Sequence, residues 1–424
     1  MVCYLVKRFV FNQSNYLKMR KNIVMITTMY PDQVRPSTMV CHYYTREWVK
    51  MGHRVIVFSI RSMFPPVYTI AAKLFPNLAK RIIGNHVEMD RDMRTIEVDV
   101  DGVKVYSLPI FKYVPHGNYP HKSVSKTLNE INRLLSNNDF VPNAIIGHFH
   151  NPTAELIYGL KSTYPNAKTS ITFHITPNYS LRNYNVKTGR KLYGAFSTLG
   201  FRNKTLKEQY EEAYGPFKNT FICYSGTSEI FLSTPYNENK DFDDTTMTRF
   251  LYVGQFTKNK SICEVIEALH NTYPEGDFHI NCIGDGGTAL PNIEAYIKDN
   301  RLEKNVSLPG RKKREEIMKY YDESQVFVMI SRQEAFGLVY LEAMSRGCIC
   351  IGTRGQGIDG VIVDGENGFL CEGGNSKELE TIIKRINELS PKERRRISSN
   401  ARKTAEDLSE INVAKNYIEK VLAS

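Results

Sequence analysis

Residues 326–352 read VFVMISRQEAFGLVYLEAMSRGCICIG. A β-prone apolar run, Val326–Ile330, crosses a polar loop into Gly337–Arg346, whose apolar spacing predicts a helix. Gly347 ends that helix, and a second apolar run, Cys348–Gly352, follows directly. Strand, loop, helix, glycine, strand is a βαβ unit, and strands this continuously apolar belong in a parallel sheet covered on both faces.

The pattern spreads outward from there. Arg249–Val253, Phe278–Ile283 and Val306–Leu308 read as further strands, with helices at Ser261–His270, Asn292–Asp299, Arg314–Asp322 and Ser376–Leu389. The front half repeats the alternation. Ile23–Thr27, a helix over Thr38–Met51 stopped by Gly52, and His53–Ser59 open it. Strands are then expected at Lys104–Leu108, Ala144–His148, Thr169–His174 and Thr220–Ser225, with a helix over Ala154–Ser162. Between the halves, Asn237–Thr248 is almost devoid of apolar residues and reads as a linker. The expected division is a first α/β domain over 1–245, with 1–20 as an extension, a second over 246–404, and a terminal segment, 405–424. In that segment Ile411, Ala414, Ile418, Val421 and Leu422 form a helical stripe that needs a surface to cover. Ligands in such sheets bind beyond the carboxyl ends of the strands, so a cleft faced by both sheets is the expected site.

Composition narrows the function. The 424 residues carry a formal charge of +11, unevenly placed: residues 1–245 hold a net +12 and residues 246–424 a net −1. An anionic partner is therefore expected at the front half. No apolar stretch reaches bilayer-spanning length; Val67–Leu78 comes nearest, and Lys73 and Pro76 interrupt it. The first residues lack a secretory pattern, and the eight cysteines show neither C-x-x-C nor zinc spacing. A soluble cytoplasmic protein with reduced thiols, no metal and no nucleic-acid partner is the expectation. His148 and His150 have metal-like spacing but no completing ligand nearby, and Asp241–Asp244 falls in the linker, where a solvated charge run is expected.

The chemistry concentrates at strand ends. Glu334 precedes and Glu342 follows the start of the helix at Gly337, and backbone N–H groups at such a start favour an anion, typically phosphate. Alternatively, Glu342 is a solvated helix residue and Glu334 an N-cap substitute. Gly254, Gln255, Lys258 and Lys260 follow the first strand of the second domain, and Gly284, Asp285 and Gly286 follow the next, where glycine lets backbone approach a ligand. Neither G-x-G-x-x-G nor a Walker sequence is present.

The block from Glu334 to Glu342 with FGLVYLEAMSRG resembles the hallmark of retaining glycosyltransferases of GT-B fold, family 4. YVGQFTKNKSICEVIEAL resembles that family's phosphate-binding loop, GQGIDGVIVDGENGFL (355–370) the stretch after the hallmark, and NAKTSITFHIT the first-domain strand ending in a histidine. The resemblance implies two doubly wound Rossmann-like domains facing a central cleft, the C-terminal helix packing back on the first. It implies that Glu342 holds the ribose hydroxyls and Glu334 the donor sugar, while Phe336, Gly337 and Leu338, with Ala335 beside them, offer backbone N–H groups. Lys260 would neutralise the departing diphosphate without a metal, His174 would stand beside the sugar, and the backbone at Arg311 would touch the base. The family usually has an arginine where this chain has Gln255, so Lys258 or Arg332 would supply the second cation.

What the resemblance implies is transfer of a hexose from a UDP- or GDP-sugar to a glycan or polyprenyl-linked hydroxyl in surface polysaccharide synthesis (capsule, lipopolysaccharide or exopolysaccharide), with no cofactor. The alternatives are a nucleotide-sugar epimerase and a non-catalytic nucleotide-sugar-binding protein. Residues 64–84, FPPVYTIAAKLFPNLAKRIIG, mix apolar side chains with Lys73, Lys80 and Arg81. They read either as a surface helix with a core-facing stripe or as an interfacial segment on an anionic membrane, peripheral on the cytoplasmic face of the inner membrane.

Overall fold

The computed structural model describes residues 20–31, 39–74, 93–114, 117–236, 240–243 and 246–424. Residues 1–19 of the expected N-terminal extension and residues 75–84 of the 64–84 segment lie outside them. The chain forms two compact units: residues up to 201, 206–223 and 414–424 make the first, and residues 202–205 and 224–413 the second.

The first unit is built on eight strands: β1 (Asn22–Thr27), β2 (Arg54–Met63), β3 (Ile96–Val100), β4 (Val103–Phe111), β5 (Ala144–His148), β6 (Lys168–Phe173), β7 (Thr198–Phe201) and β8 (Thr220–Ile222). Their order is β3-β4-β2-β1-β5-β6-β7-β8, parallel except for the antiparallel β3–β4 edge pair. Chain order reverses at β1, where Ile23 stands between Val55 of β2 and Ala144 of β5. Five of six β1 residues and all of β5 are buried, which explains why both read as unbroken apolar runs.

The second unit holds β9 (Arg249–Val253), β10 (His279–Ile283), β11 (Val306–Gly310), β12 (Val326–Val328), β13 (Ile349–Thr353) and β14 (Phe369–Cys371). All six are parallel, in the order β11-β10-β9-β12-β13-β14, a doubly wound sheet with its switch point between β9 and β12. The supposed linker is not a free charge run. Phe231, Phe242 and Met247 are buried in this unit's core, and the buried Lys240 ammonium donates to the carbonyls of Tyr321 (2.6 Å) and Ser324 (2.5 Å). Asp243 pairs with Arg395 and is exposed, as a solvated carboxylate should be.

The last helix, Glu410–Ala423, buries Ala414, Tyr417, Ile418 and Val421. Its residues from Ala414 onward belong to the first unit, where Trp48 Nε1 donates to the Ala414 carbonyl at 2.8 Å. The expected stripe shifts by part of a turn: Ile411 faces solvent, and Tyr417 lies on the buried face. A tyrosine ring with a polar tip packs as an apolar residue when its hydroxyl finds a partner.

Candidate active site

Two loops meet at the carboxyl edge of the second sheet because β9 and β12 are hydrogen-bonded neighbours. After β9 the chain runs through Gly254 to a short 3-10 turn, Lys258–Lys260, and enters the helix Ile262–Thr272. After β12 it runs through Ser331–Phe336 to the helix Leu338–Ser345. The loops are stitched together. Arg332 N donates to Asn259 O at 2.8 Å, and Asn259 Nδ2 donates to Gln333 O at 3.0 Å. This places the Lys260 ammonium on the Glu334 carboxylate, where Nζ donates to Oε2. Both side chains are partly buried, so a charge developing beside them is poorly screened by water.

The helix start is set by Gly337, whose φ of +82° is left-handed; a Cβ there would lie 2.6 Å from the Tyr340 ring. Only glycine serves at this turn. Glu334 is not the N-cap: Gly337 occupies that position, and Glu334 is held by other contacts. Gln356 Oε1 accepts from Glu334 N at 3.0 Å, and Gly357 N donates to Glu334 O at 3.0 Å. Asn203 Nδ2 donates to Ala335 O at 3.1 Å, and the Arg202 guanidinium sits 5.3 Å from the Phe336 ring centroid. The 334–337 backbone is thereby fixed at the helix start, where Tyr340 N donates to Gly337 O at 3.0 Å and the N–H groups of Leu338 and Val339 precede any i−4 acceptor within the helix.

Glu342 is buried rather than solvated. Tyr321 Oη donates to its Oε2 at 3.2 Å and Arg314 Nη2 to its Oε1 at 3.1 Å. Burial pushes its carboxyl pKa up, and the Arg314 charge and the Tyr321 hydrogen bond offset that only in part. Arg314 opens the helix Arg314–Glu323, so a residue directly after the GRKK run supplies the cation.

The remaining candidates divide. Gln255 and Lys258 are exposed on the same loop as Lys260. Arg332 instead reaches Glu264, at 2.7 Å. Gly284 and Gly287, after β10, let that loop pack on the loop after β9: a Cβ on Gly284 would stand 2.0 Å from Gly254 O, and one on Gly287 2.4 Å from Phe256 O. Of the three glycines after β10, Gly286 alone faces open space. Asp285 and Arg311 form an exposed pair at 3.9 Å. In the first unit, His174 follows β6, and its Nε2 lies 2.8 Å from His148 Nδ1, within hydrogen-bond distance. Phe149 stacks on the His174 ring at 4.2 Å. His148 Nε2 is 3.1 Å from Tyr417 Oη, which also meets Thr172 Oγ1 at 2.6 Å. Sequence reasoning missed Tyr321, Arg314, Gln356, Asn203 and Tyr417, because none lies within the motif it supports. Among the described residues no group of three or more His, Cys, Asp and Glu is placed to hold a metal ion.

Residues 237–404 match the family described as glycosyl transferases group 1. An uncharacterized glycosyltransferase of Methanocaldococcus jannaschii is 32% identical over 187 residues, 44% of this chain and 48% of that one. The capsular polysaccharide biosynthesis glycosyltransferase CapM of Staphylococcus aureus is 30% identical over 37% of this chain and 40% of its own. The matched stretches thus span half or less of these relatives. Among solved structures, Anabaena HepE in complex with UDP and glucose superposes with a TM-score of 0.61 at 16% identity, covering 96% of this chain and all of that one, a likeness of fold alone.

Proposed function

Because residues 237–404 are a glycosyl transferases group 1 domain in a chain of GT-B fold, we propose that the protein moves a hexose from a nucleotide diphosphate sugar to an acceptor hydroxyl with retention of configuration. The observation that carries this reading is the convergence of Lys260, Glu334 and the Gly337 helix start at one sheet edge, with the Glu342 carboxylate held by Arg314 and Tyr321. The helix start and Lys260 suit a diphosphate, Glu334 the sugar hydroxyls, and Glu342 the ribose. As the sugar–oxygen bond breaks, negative charge grows on the diphosphate, and a fixed ammonium stabilises that charge more than the ground state. The departing oxygen takes the acceptor's proton on the same face, so no separate base is needed. His174, held against His148, would stand beside the sugar. A nucleotide-sugar donor accords with the UDP and glucose bound in HepE, and a role in polysaccharide synthesis accords with the name of CapM; the acceptor we propose is a glycan or polyprenyl-linked hydroxyl.

A panel of UDP- and GDP-hexoses tests this directly. One donor should raise Tm, because a ligand bound only by the folded state stabilises it, and nucleoside diphosphate release should persist in EDTA. Stabilisation by no donor would end the proposal. Binding without release for any acceptor would make this a binding protein, and release of epimerised donor an epimerase. Complete loss of release in EDTA would end the metal-independent mechanism.

We also propose that the chain works at an anionic membrane surface. No helix among the described residues is long and apolar enough to cross a membrane. The helix Pro66–Leu74, however, exposes Val67 (62%), Ile70 (54%) and Leu74 (67%), spaced i, i+3, i+7 on one face. This favours the interfacial over the core-facing reading. Lys73, Lys80 and Arg81 and the +12 charge of residues 1–245 suit anionic lipid, each basic group near the surface contributing about 1 kcal/mol. The protein should sediment with phosphatidylglycerol vesicles at low salt and be released at high salt, and K73E/K80E/R81E should remove binding while donor affinity stays unchanged. Failure to sediment at low salt would reject the membrane.

A further inference from the structure

The first unit carries a cavity of about 230 Å³ that the motif reading did not anticipate. Its wall includes Thr28, just beyond β1, and Phe149, His150 and Asn151, just beyond β5. Those strands flank the point where chain order reverses, where open α/β sheets take their ligands. Lys112, directly after β4, and Arg182, on the helix Pro177–Asn183, complete its cationic side. Among the described residues no Asp or Glu lines it.

Lys112 is the unusual member. Its residue is only 7% exposed, and the contact recorded for its ammonium is the Tyr119 ring, 4.5 Å from Nζ to the centroid. Burial lowers its pKa to about 8. Among the described residues no carboxylate pairs with the Lys112 ammonium; an ammonium withdrawn from water in this way is costly, and a cation–π contact recovers only part of that cost. An anion entering the cavity would complete the compensation. The nearby His150 ring is held by Asn183 Oδ1, 3.3 Å from Nε2, so the wall on that side is fixed. Ile175 and Tyr179 also line the cavity and are exposed, giving the charged pocket an apolar rim.

The geometry points to a phosphate-binding site at Lys112, Arg182 and Asn151 that holds the phosphoryl group of the acceptor, with Ile175 and Tyr179 against the apolar body that carries it. This rests on the transferase reading, because it names the acceptor class for the basic unit.

Calorimetric titration of the full chain at low salt decides it, with inorganic pyrophosphate and farnesyl diphosphate as probes. Two sites are expected, one removed by K260A and the other weakened at least tenfold by K112M. Methionine keeps the bulk of Lys112 and removes only the charge, and R182A, at an exposed position, is a second variant that does not depend on core packing. Tighter binding of farnesyl diphosphate than of pyrophosphate would mark a lipid-linked phosphate, and equal binding a soluble one; either supports the site. Titrations of K112M and R182A indistinguishable from wild type would overturn it, as would malonate binding as tightly as pyrophosphate. Loss of the Lys112-dependent site leaves the donor reading intact, whereas failure of every nucleotide sugar to bind would undo that reading and leave the phosphate site standing.

Discussion

Lys260→Ala is expected to lower hexosyl transfer by roughly 10²–10³-fold, the loss typical of removing one preorganised group from developing transition-state charge. The side chain ends on Glu334, while the loop itself is held by backbone through Asn259 and Arg332, so truncation should leave the loop in place. Glu334 then loses its counter-ion, but both groups are only partly buried, and the stability cost should be small beside the kinetic one. Gln255→Arg should be tolerated or should tighten donor binding, because Gln255 is exposed on the same loop and an added cation there meets a diphosphate. Steady-state kinetics with the donor found in the panel read both. Lys260→Ala within threefold of wild type, or loss of donor binding in Gln255→Arg, would show that this loop does not hold the diphosphate.

The two glutamates should fail differently. Glu342→Ala should weaken donor binding about 10–100-fold, the range for hydrogen bonds made by a charged group. Glu334→Ala should cut turnover while leaving the donor Kd within a few-fold, as expected for a contact that strengthens in the transition state. Glu342→Ala also leaves Tyr321 Oη and Arg314 without their acceptor, so Glu342→Gln is the companion variant. It retains an acceptor for Tyr321 and removes the charge. Because the folded carboxyl binds its proton more tightly than the unfolded one, Glu342 lowers stability as pH rises through the carboxylate range. Urea unfolding of Glu342→Gln should therefore show a weaker decline across that range than wild type. Near-wild-type kinetics in both alanine variants would remove the assignment of ribose and sugar.

Most of the fold was readable because the central strands are apolar on both faces. Arg249–Val253 and Ala144–His148 coincide with their expected bounds, and most other central strands lie within about two residues of them. The misses share a cause. Ile96–Val100 is a five-residue antiparallel edge strand, IEVDV, that buries none of its residues, and Thr198–Phe201 and Phe369–Cys371 are four and three residues long, too short to show a period. The helix Pro391–Asp407 was missed because it is mostly charged and buries only Arg394, Ile397, Ala401 and Ala405. Its start nevertheless carries a local signature, since Ser390 and Glu393 form a capping box with Pro391 at the first turn. At the site, Glu334, Lys260 and Glu342 were visible as residue types in a pattern. Tyr321 was not, since an isolated tyrosine carries no spacing that marks it, and Gln356 lay within the 355–370 stretch with nothing to link it to Glu334.

The sequence alone determined that two sets of alternating strands and helices exist, that Gly337 must turn into a helix, and that cations and carboxylates follow particular strands. These depend on local properties: side-chain periodicity, steric limits at φ, and turn chemistry. Tertiary structure alone decided which strand ends are neighbours. Lys260 and Glu334 are 74 residues apart and meet because β12 pairs with β9 rather than with the strand before it in the chain. Glu342 is buried because its helix lies against Tyr321, and Lys112 faces a cavity because β4, β1 and β5 bring their ends to one edge. Hydrogen-bond ladders between strands distant in sequence set those contacts, and the periodicity of one segment reports how deeply it is buried but not what it is buried against.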